Sequence, residues 1–335
     1  MMNKTTKSIL DLLHARQGDV SGEDMCAALG VSRAAVWKHI QTLRGLGYRI
    51  DSATHRGYRL VSEPNTPYPW VVEPHLTTKR FGRELRFEPS VESTNRIAAE
   101  WADNNASEGA TVLADAQTVG RGRMTRTWFS PEGVNLYMSL VLRPQAAPMD
   151  VPQISLLGAL AVCRAVKDLM TNAPDVRVKW PNDVLVGDKK LAGVLCEMKS
   201  ELDRVHFVVV GIGINVNVLP ASCPGEIQRL MTSLRAESGR EQDRAVLAAM
   251  VLNQLEHVYD VWRSDRLATL LAELESLSAM SGNRVAVHDG YREIRGTALG
   301  YAADGALRIR RENGEEIAVR CGDVHVLSRN LAVRR

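Results

Sequence analysis

Residues 120–128 read GRGRMTRTW, two glycines and three arginines in one segment that ends on an aromatic side chain. Backbone N–H groups beside glycine can approach an anion closely, and the guanidinium groups of Arg121, Arg123 and Arg126 can offset its charge with forked, charge-assisted hydrogen bonds. That is chemistry for wrapping a nucleotide phosphate. Arginine and glycine also run together in disordered nucleic-acid-binding segments, so the loop needs companions before it assigns anything.

Companions follow in order. ESTN at 92–95 precedes the loop, and KWPND at 179–183, KKLAGVLCE at 189–197 and GIGINVN at 211–217 come after it. Each is weak alone. Ser93 to Asn95 can be a plain helix cap, and Pro181, Asn182 and Asp183 can be an ordinary turn after a strand. The glycines of GIGIN can end a buried strand, and the six-position dinucleotide fingerprint is absent, which argues against a Rossmann or Walker-type fold. As an ordered set, these motifs closely resemble those of the biotin protein ligases, and the resemblance spans nearly the whole chain.

The resemblance implies that Ser93, Thr94 and Asn95, with Gln117, hold the ureido ring of biotin. Hydroxyl and amide groups suit that task because they match the ring's N–H donors and carbonyl acceptor at one site. It also implies that Gly120, Arg121, Gly122 and Arg123 close over the carboxylate and the phosphates, that Trp128 packs at the adenylate, and that Lys190 contacts the reacting carboxyl and phosphate region. Lys179, Asn182 and Asn215 complete the nucleotide candidates, with a solvent-facing strand end as the open alternative for Lys179 and Asn182. The implied reaction joins biotin to MgATP as biotinyl-5′-adenylate, releasing pyrophosphate, and a lysine of the biotin carboxyl carrier protein of acetyl-CoA carboxylase then displaces AMP. Biotin's carboxylate is already ionised, so the first step needs placement and charge stabilisation by Arg123, Lys190 and Mg2+ more than a general base. In the second step Asp183 orients the amine or accepts its proton, with magnesium binding and turn formation open beside that role. No protein ligands to the metal are assigned. Two departures stand out: Thr125 sits where the family loop usually has another glycine, and GDVHVLSRN lacks the terminal Ser-Leu-Arg of some relatives, so Arg329 is not carried over.

Ahead of these motifs, Ser21 can cap a helix running to about Leu29, with Asp24 three residues on and Gly30 as a left-handed stop. A second helix opens at Ser32. Its stripe of Val36, Ile40 and Leu43 falls at helical spacing for an inward face, while Arg33, Trp37, Gln41 and Arg44 lie on another face with Lys38 beside them. Such a helix enters a DNA major groove by its N-terminal end, where Ser32, Arg33 and Ala34 reach phosphates or base edges. YRID and GYRL then alternate about residues 52–56 as a two-stranded wing. Residues 33–60 hold six Lys/Arg against one acid, Asp51, the local footprint of a nucleic-acid face within a chain of net charge only +3. The candidate DNA contacts are Ser21, Ser32, Arg33, Ala34, Trp37, Lys38, Arg44, His55 and Arg56, with Trp37 equally readable as a half-buried anchor. Residues 21–60 resemble the winged helix-turn-helix of the bifunctional biotin ligase and biotin operon repressor. That resemblance implies operator DNA as a partner, biotinyl-5′-AMP as corepressor, and a homodimer when the adenylate is bound.

A chain of 335 residues is too long for one hydrophobic core. With the resemblance, the expected architecture is an α/β multidomain chain: a winged helix-turn-helix at 1–63, a proline-rich linker at 64–69, a mixed α/β domain at 70–277 that the resemblance makes the ligase, and short C-terminal strands at 278–335 that it makes an SH3-like β-barrel. Prolines 64, 67 and 69 mark the linker. Helices are expected at 95–103, 151–170 and 243–262, a hairpin turning at Gly187 and Asp188, and short strands with an Asn313-Gly314 turn near the C-terminus. Five scattered cysteines show no metal-ligand spacing and are expected to be free thiols, Cys196 as a small buried hydrophobe. No apolar run approaches a membrane span and the N-terminus reads as a helix rather than a secretory signal, which gives a cytoplasmic expectation. Lipoate or octanoate ligation is the rival chemistry. A metabolite-sensing repressor with an idle ligase-like domain is the rival from another class.

Overall fold

The computed structural model describes residues 2–16, 18–53, 56–170, 172–201 and 204–328. Contacts divide the chain into two units, Met1–Asn65 and Thr66–Arg335. The division falls inside the proline-rich stretch, and Pro67 is already buried in the second unit.

In the first unit three helices, α1 (Lys4–Ala15), α2 (Gly22–Leu29) and α3 (Arg33–Gly45), precede strands β1 (Arg49–Ala53) and β2 (Gly57–Ser62). The caps are those the sequence suggests. Ser21 Oγ accepts from Asp24 N at 2.9 Å, Ser32 Oγ accepts from Ala35 N at 3.2 Å, and Gly30 takes a left-handed φ of 65° while its N–H returns to Cys26 O. Val36, Ile40 and Leu43 are buried, as are Ile9, Leu10 and Leu13 of α1. β1 and β2 pair antiparallel down to Ala53 opposite Gly57, so the wing's strands reach further than the sequence pattern indicates and its connection is shorter than residues 52–56.

The second unit opens with α4 (Pro69–Val72), β3 (Leu85–Val91), α5 (Thr94–Asp103), β4 (Thr111–Gln117), β5 (Leu136–Leu142) and α6 (Pro152–Leu169). There follow β6 (Val176–Lys179), β7 (Asp183–Val186), β8 (Lys189–Ser200), β9 (Val205–Ile214), α7 (Gly225–Leu230), α8 (Leu234–Ser238), α9 (Arg244–Asp265) and α10 (Leu271–Ser276). Seven strands form one sheet in the order β3-β4-β5-β9-β8-β7-β6, in which only β3 and β4 run parallel. Among the described residues there is no doubly wound parallel sheet. A final sheet of β10 (Arg284–His288), β11 (Glu293–Tyr301), β12 (Leu307–Arg310), β13 (Glu316–Val319) and β14 (Asp323–Ser328) is antiparallel in the order β13-β12-β11-β10-β14.

Strand alternation decides which face carries chemistry. On β9, Val208, Val210, Ile212 and Ile214 face the main core with α6 and α9, while Phe207 and Val209 face a smaller cluster under α5 with Ala98, Ala102, Val112 and Val141. Further along that second face stand Gly211 and Gly213, whose missing side chains let Asn95 and the Trp128 ring lie directly on the sheet. Residues of the terminal sheet, among them Val285, Val287 and Leu307, join the main core, and Trp180 Nε1 donates to Gly305 O at 3.0 Å. Pro148–Leu169 is apolar enough by length and composition to cross a membrane, but 72% of its apolar 18-residue window is buried inside the protein, as in a core helix.

Candidate functional site

This glycine-lined face lies between α5, the loop at 120–128 and β7–β9. Ser93, Thr94 and Asn95 start α5 and are 4–5% exposed, although polar groups leave water only at a cost unless they are bonded. Ser93 is the N-cap residue, but its side chain makes no cap hydrogen bond, so the plain capping alternative is not what holds it there. Thr94 N donates to Gln117 Oε1 at 2.9 Å, and Gln117 Nε2 donates to Ser130 Oγ at 3.0 Å. Ser139 Oγ donates to Asn95 Oδ1 at 2.6 Å and lies 2.7 Å from Thr94 Oγ1. Asn95 Nδ2 donates to Glu197 Oε2 at 2.7 Å and, longer, to Leu195 O at 3.4 Å. Gly211 forms the floor: a Cβ there would stand 2.0 Å from Asn95 Oδ1. Hydroxyl, amide and carboxylate groups thus enclose a small buried surface able to match several donors and acceptors at once.

The loop runs alongside this pocket as a narrow double strand. Trp128 N donates to Gly120 O at 2.9 Å and Gly122 N to Arg126 O at 2.7 Å, with Arg121 and Thr127 bridged. At its tip Met124 and Thr125 both take left-handed backbone, φ 52° and 63°. The three arginines go to three places. Arg121 pairs with Glu197 at 3.1 Å; Arg123 reaches Asn182 Oδ1 at 3.4 Å and Gly322 O at 3.3 Å; Arg126 pairs with Asp323 of β14. Trp128 lies flat against the sheet, where a Cβ on Gly213 would stand 2.6 Å from its indole and one on Gly193 3.1 Å. Its Nε1 is a buried donor without a partner.

Across the cleft Lys190 Nζ sits 2.7 Å from Asp183 Oδ1 and 5.1 Å from the centroid of the Trp128 ring. Lys190 faces the site because of a register slip. Asp183 pairs with Gly193 and Val184 with Ala192, but Leu185 pairs with Lys190, and the slip brings Lys190 to the face that strict alternation from Gly193 would deny it. Burial pushes the Lys179 amine below its usual value, Asp183 opposes this, and the charge of Lys190 adds to it. Asn182 is fixed by Nδ2 donating to Val194 O at 2.6 Å. Gly122, Arg123, Trp128, Lys179, Asn182, Asp183 and Lys190, with Asp323, line a cleft of about 130 Å3. That is smaller than the roughly 300–1,000 Å3 of most cofactor pockets, with loop arginines among its walls. Asn215 is not among the lining residues; its Nδ2 donates to Lys190 O at 3.2 Å and its N to Leu191 O at 2.9 Å, so it steadies the strand that carries Lys190.

Three residues of the site went unassigned by the sequence. Ser139 is one polar residue in the otherwise apolar β5, a detectable signal; Glu197 closes a quoted motif without a role; Asp323 gives no local sign at all. Among the described residues no group of three His, Cys, Asp or Glu could hold a metal ion. All five cysteines are free, and burial pushes the Cys196 thiol up to about 12, which leaves it without nucleophilic character at neutral pH.

In the first unit α3 shows Ser32, Arg33, Ala34, Trp37 and Lys38 to solvent, with Trp37 58% exposed. Arg33 pairs with Glu23, and Arg44 turns its fork on Ile50 O at 3.0 and 2.6 Å, so Arg44 braces the wing from within. Ser21 caps α2, Arg56 is exposed at the wing's turn, and His55 lies outside the described residues.

Comparison with known proteins follows both halves of this geometry. Residues 87–215 match the Biotin/lipoate A/B protein ligase family and residues 5–59 match an HTH domain. The chain is 37% identical over 315 residues to the Bifunctional ligase/repressor BirA of Bacillus subtilis, spanning 93% of this chain and 96% of that protein. It is 32% identical over 309 residues to the protein of the same name from Escherichia coli, spanning 90% and 94%. Among solved structures, the biotin protein ligase from Aquifex aeolicus in complex with biotin and ATP superposes with a TM-score of 0.64 at 31% identity, covering 73% of this chain and 99% of that one.

Proposed function

The chain belongs to the bifunctional ligase/repressor branch of the biotin/lipoate A/B protein ligase family, and from that premise we propose how its two units divide the work. The second unit is a biotin–[acetyl-CoA-carboxylase] ligase. It takes biotin and ATP, releases pyrophosphate to form biotinyl-5′-AMP, and passes the biotinyl group to a lysine of the biotin carboxyl carrier protein. The first unit is a winged helix-turn-helix that binds operator DNA, with the adenylate as corepressor of a homodimer. These partners put its workplace in the cytoplasm.

The observation that carries the reading is the meeting of a buried, hydrogen-bonded polar cluster at Ser93, Thr94, Asn95 and Gln117 with a cationic cleft, both beside the loop at 120–128. Ser93, Thr94, Asn95 and Gln117 hold the ureido ring, and Ser139 supplies a further hydroxyl. A ligand lacking the ring's N–H and carbonyl groups cannot replace the internal hydrogen bonds it displaces here, which sets biotin apart from lipoate. Lys190 and Arg123 stabilise charge at the carboxylate and α-phosphate, and Arg126 leaves Asp323 for phosphate oxygens. Trp128 offers its flat ring, and its partnerless Nε1, to the adenylate. Gly120 and Gly122 keep the backbone close, while Lys179 and Asn182 stand at the phosphate end. Asn215 holds the Lys190 strand in place. Asp183, already paired with Lys190, orients or deprotonates the incoming amine. Oxygen donors at Asp183 and Asn182 are of the kind Mg2+ accepts, and most of its ligands would come from the phosphates, whose charge it neutralises when bound. The terminal five-stranded sheet is an SH3-like barrel that closes the cleft through Asp323.

ATP–pyrophosphate exchange measured in parallel with biotin, lipoate and octanoate tests the reading. Exchange with biotin alone is expected. Exchange driven by lipoate or octanoate would transfer the chain to the rival chemistry, and none with any acid would leave only a sensing repressor.

A further inference from the structure

We propose that Glu197 is a positioning residue that sets the polarity of the biotin pocket and tethers the phosphate loop to it. This rests on the ligase reading. An ionised carboxylate only accepts hydrogen bonds, so Asn95 must turn Nδ2 toward Glu197, as the 2.7 Å bond records. Its Oδ1 is thereby fixed as an acceptor on the other side, where Ser139 Oγ now donates at 2.6 Å. That orientation suits a ligand that presents N–H groups, as a ureido ring does and a dithiolane does not. The second oxygen of Glu197 accepts Arg121 at 3.1 Å, so one carboxylate joins the pocket to the first arginine of the loop. The Arg121 pair is partly exposed, with side chains 56% and 39% accessible, and is worth little alone. It serves as a latch that releases easily, whereas the Asn95 bond is the firm one.

Glu197→Gln cannot satisfy both ends. If the new amide accepts from Asn95 through its oxygen, its nitrogen meets the Arg121 donor; if it turns over, Asn95 flips and presents a donor to the pocket. Asn95→Asp alone sets two carboxylates together. Combining Asn95→Asp with Glu197→Gln restores both contacts, because the amide introduced at position 197 then donates to the carboxylate introduced at position 95 and accepts from Arg121. In biotin-dependent pyrophosphate exchange, E197Q is expected to raise the KM for biotin about tenfold with a smaller change in that for ATP, and the double variant to recover at least about tenfold over N95D. A biotin KM for E197Q within about twofold of the parent, or a double variant no better than N95D, overturns the proposal. Should E197Q fail to fold, Arg121→Ala, which removes the loop's end of the tether, is read in the ligand-free protein by trypsin cleavage after Arg123 and Arg126. Cleavage roughly two- to fivefold faster, the equivalent of a weak exposed ion pair, is expected, and an unchanged rate counts against the tether. No exchange by the parent protein would instead remove the ligase reading itself.

Discussion

At the scale of single residues, the site is a set of charges held in place by one another. Lys190 is oriented by Asp183 at 2.7 Å and backed by the Trp128 ring, and in the proposed reaction its ammonium faces the negative charge that builds during adenylation. Removal of one such preorganised stabiliser costs roughly 100- to 1,000-fold in rate, and Lys190→Ala should lose biotin-dependent pyrophosphate exchange on that scale. Intact exchange in that variant would refute the charge-stabilisation scheme. Lys179 makes a different prediction because burial holds its amine below the usual lysine value. Rising pH therefore strips its charge sooner than from an exposed lysine, and the KM for ATP should climb across that range. Lys179→Arg, which stays charged, should flatten the climb. The same shift means that the unfolded chain binds more protons than the folded one between the two values, so this group adds stability as pH rises through that window. Little of this was open to the sequence. The motifs named the residues, but Lys190 reaches the site face only through the β7–β8 register slip, and Glu197 and Asp323 gain meaning only from arginines that fold against them.

At the scale of elements, legibility followed local rules. The caps at Ser21 and Ser32, the Gly30 stop, the core helix α6 and the Gly187-Asp188 hairpin were all readable, since each depends on neighbours in sequence. β3 and the short helices α7, α8 and α10 were not: β3 is fixed by its parallel pairing with β4, and the helices span only five or six residues, too few to show a period. Thr125 links both levels. The sequence marks it as a departure from glycine, and the structure puts it at φ 63°, where a β-branched residue is strained. Such strain amounts to about 1–3 kcal/mol, against about 0.5–1 kcal/mol of extra chain entropy for glycine, so Thr125→Gly should make the loop modestly easier to order. Slower trypsin cleavage within residues 121–126 of the ligand-free variant would show it; faster cleavage would mean that entropy wins. A second element is held by Glu256 on α9, whose carboxylate accepts from the N–H groups of Lys79, Arg80 and Phe81 at 2.7, 2.8 and 3.2 Å. Burial alone would push this carboxyl up, yet the three N–H groups and the Arg80 guanidinium hold it below the usual value. A depressed carboxyl contributes stability above its unfolded value and loses it as pH falls through the folded one. Glu256→Gln should cost about 1.5–3 kcal/mol in urea unfolding near neutral pH, with the difference from the parent shrinking in acid.

At the scale of the whole molecule, two compact units share one chain but not one kind of ligand. The exposed, basic face of α3 should bind DNA through phosphate contacts, so the logarithm of affinity should fall linearly with the logarithm of salt, and Lys38→Ala should reduce that slope by about one. On the proposed reading, sequence specificity comes from the N-terminal end of α3, where Ser32, Arg33 and Ala34 are exposed, with Arg33 first released from Glu23. Coupling between the units is then a thermodynamic quantity that needs no contact between them to be measured. If the adenylate favours the dimer that grips two half-sites, operator affinity rises by some factor when biotin and ATP are supplied. Linkage requires that operator DNA raise the affinity for biotinyl-5′-AMP by the same factor, since both routes join the same two end states. Operator binding with and without adenylate, set beside adenylate dissociation with and without operator, gives the two factors independently, each taken with sedimentation at the same protein concentration because dimerisation enters both. A common factor of roughly 5–150 is the expected range for such coupling. A factor of one on either side would leave a ligase and a DNA-binding unit that merely travel together.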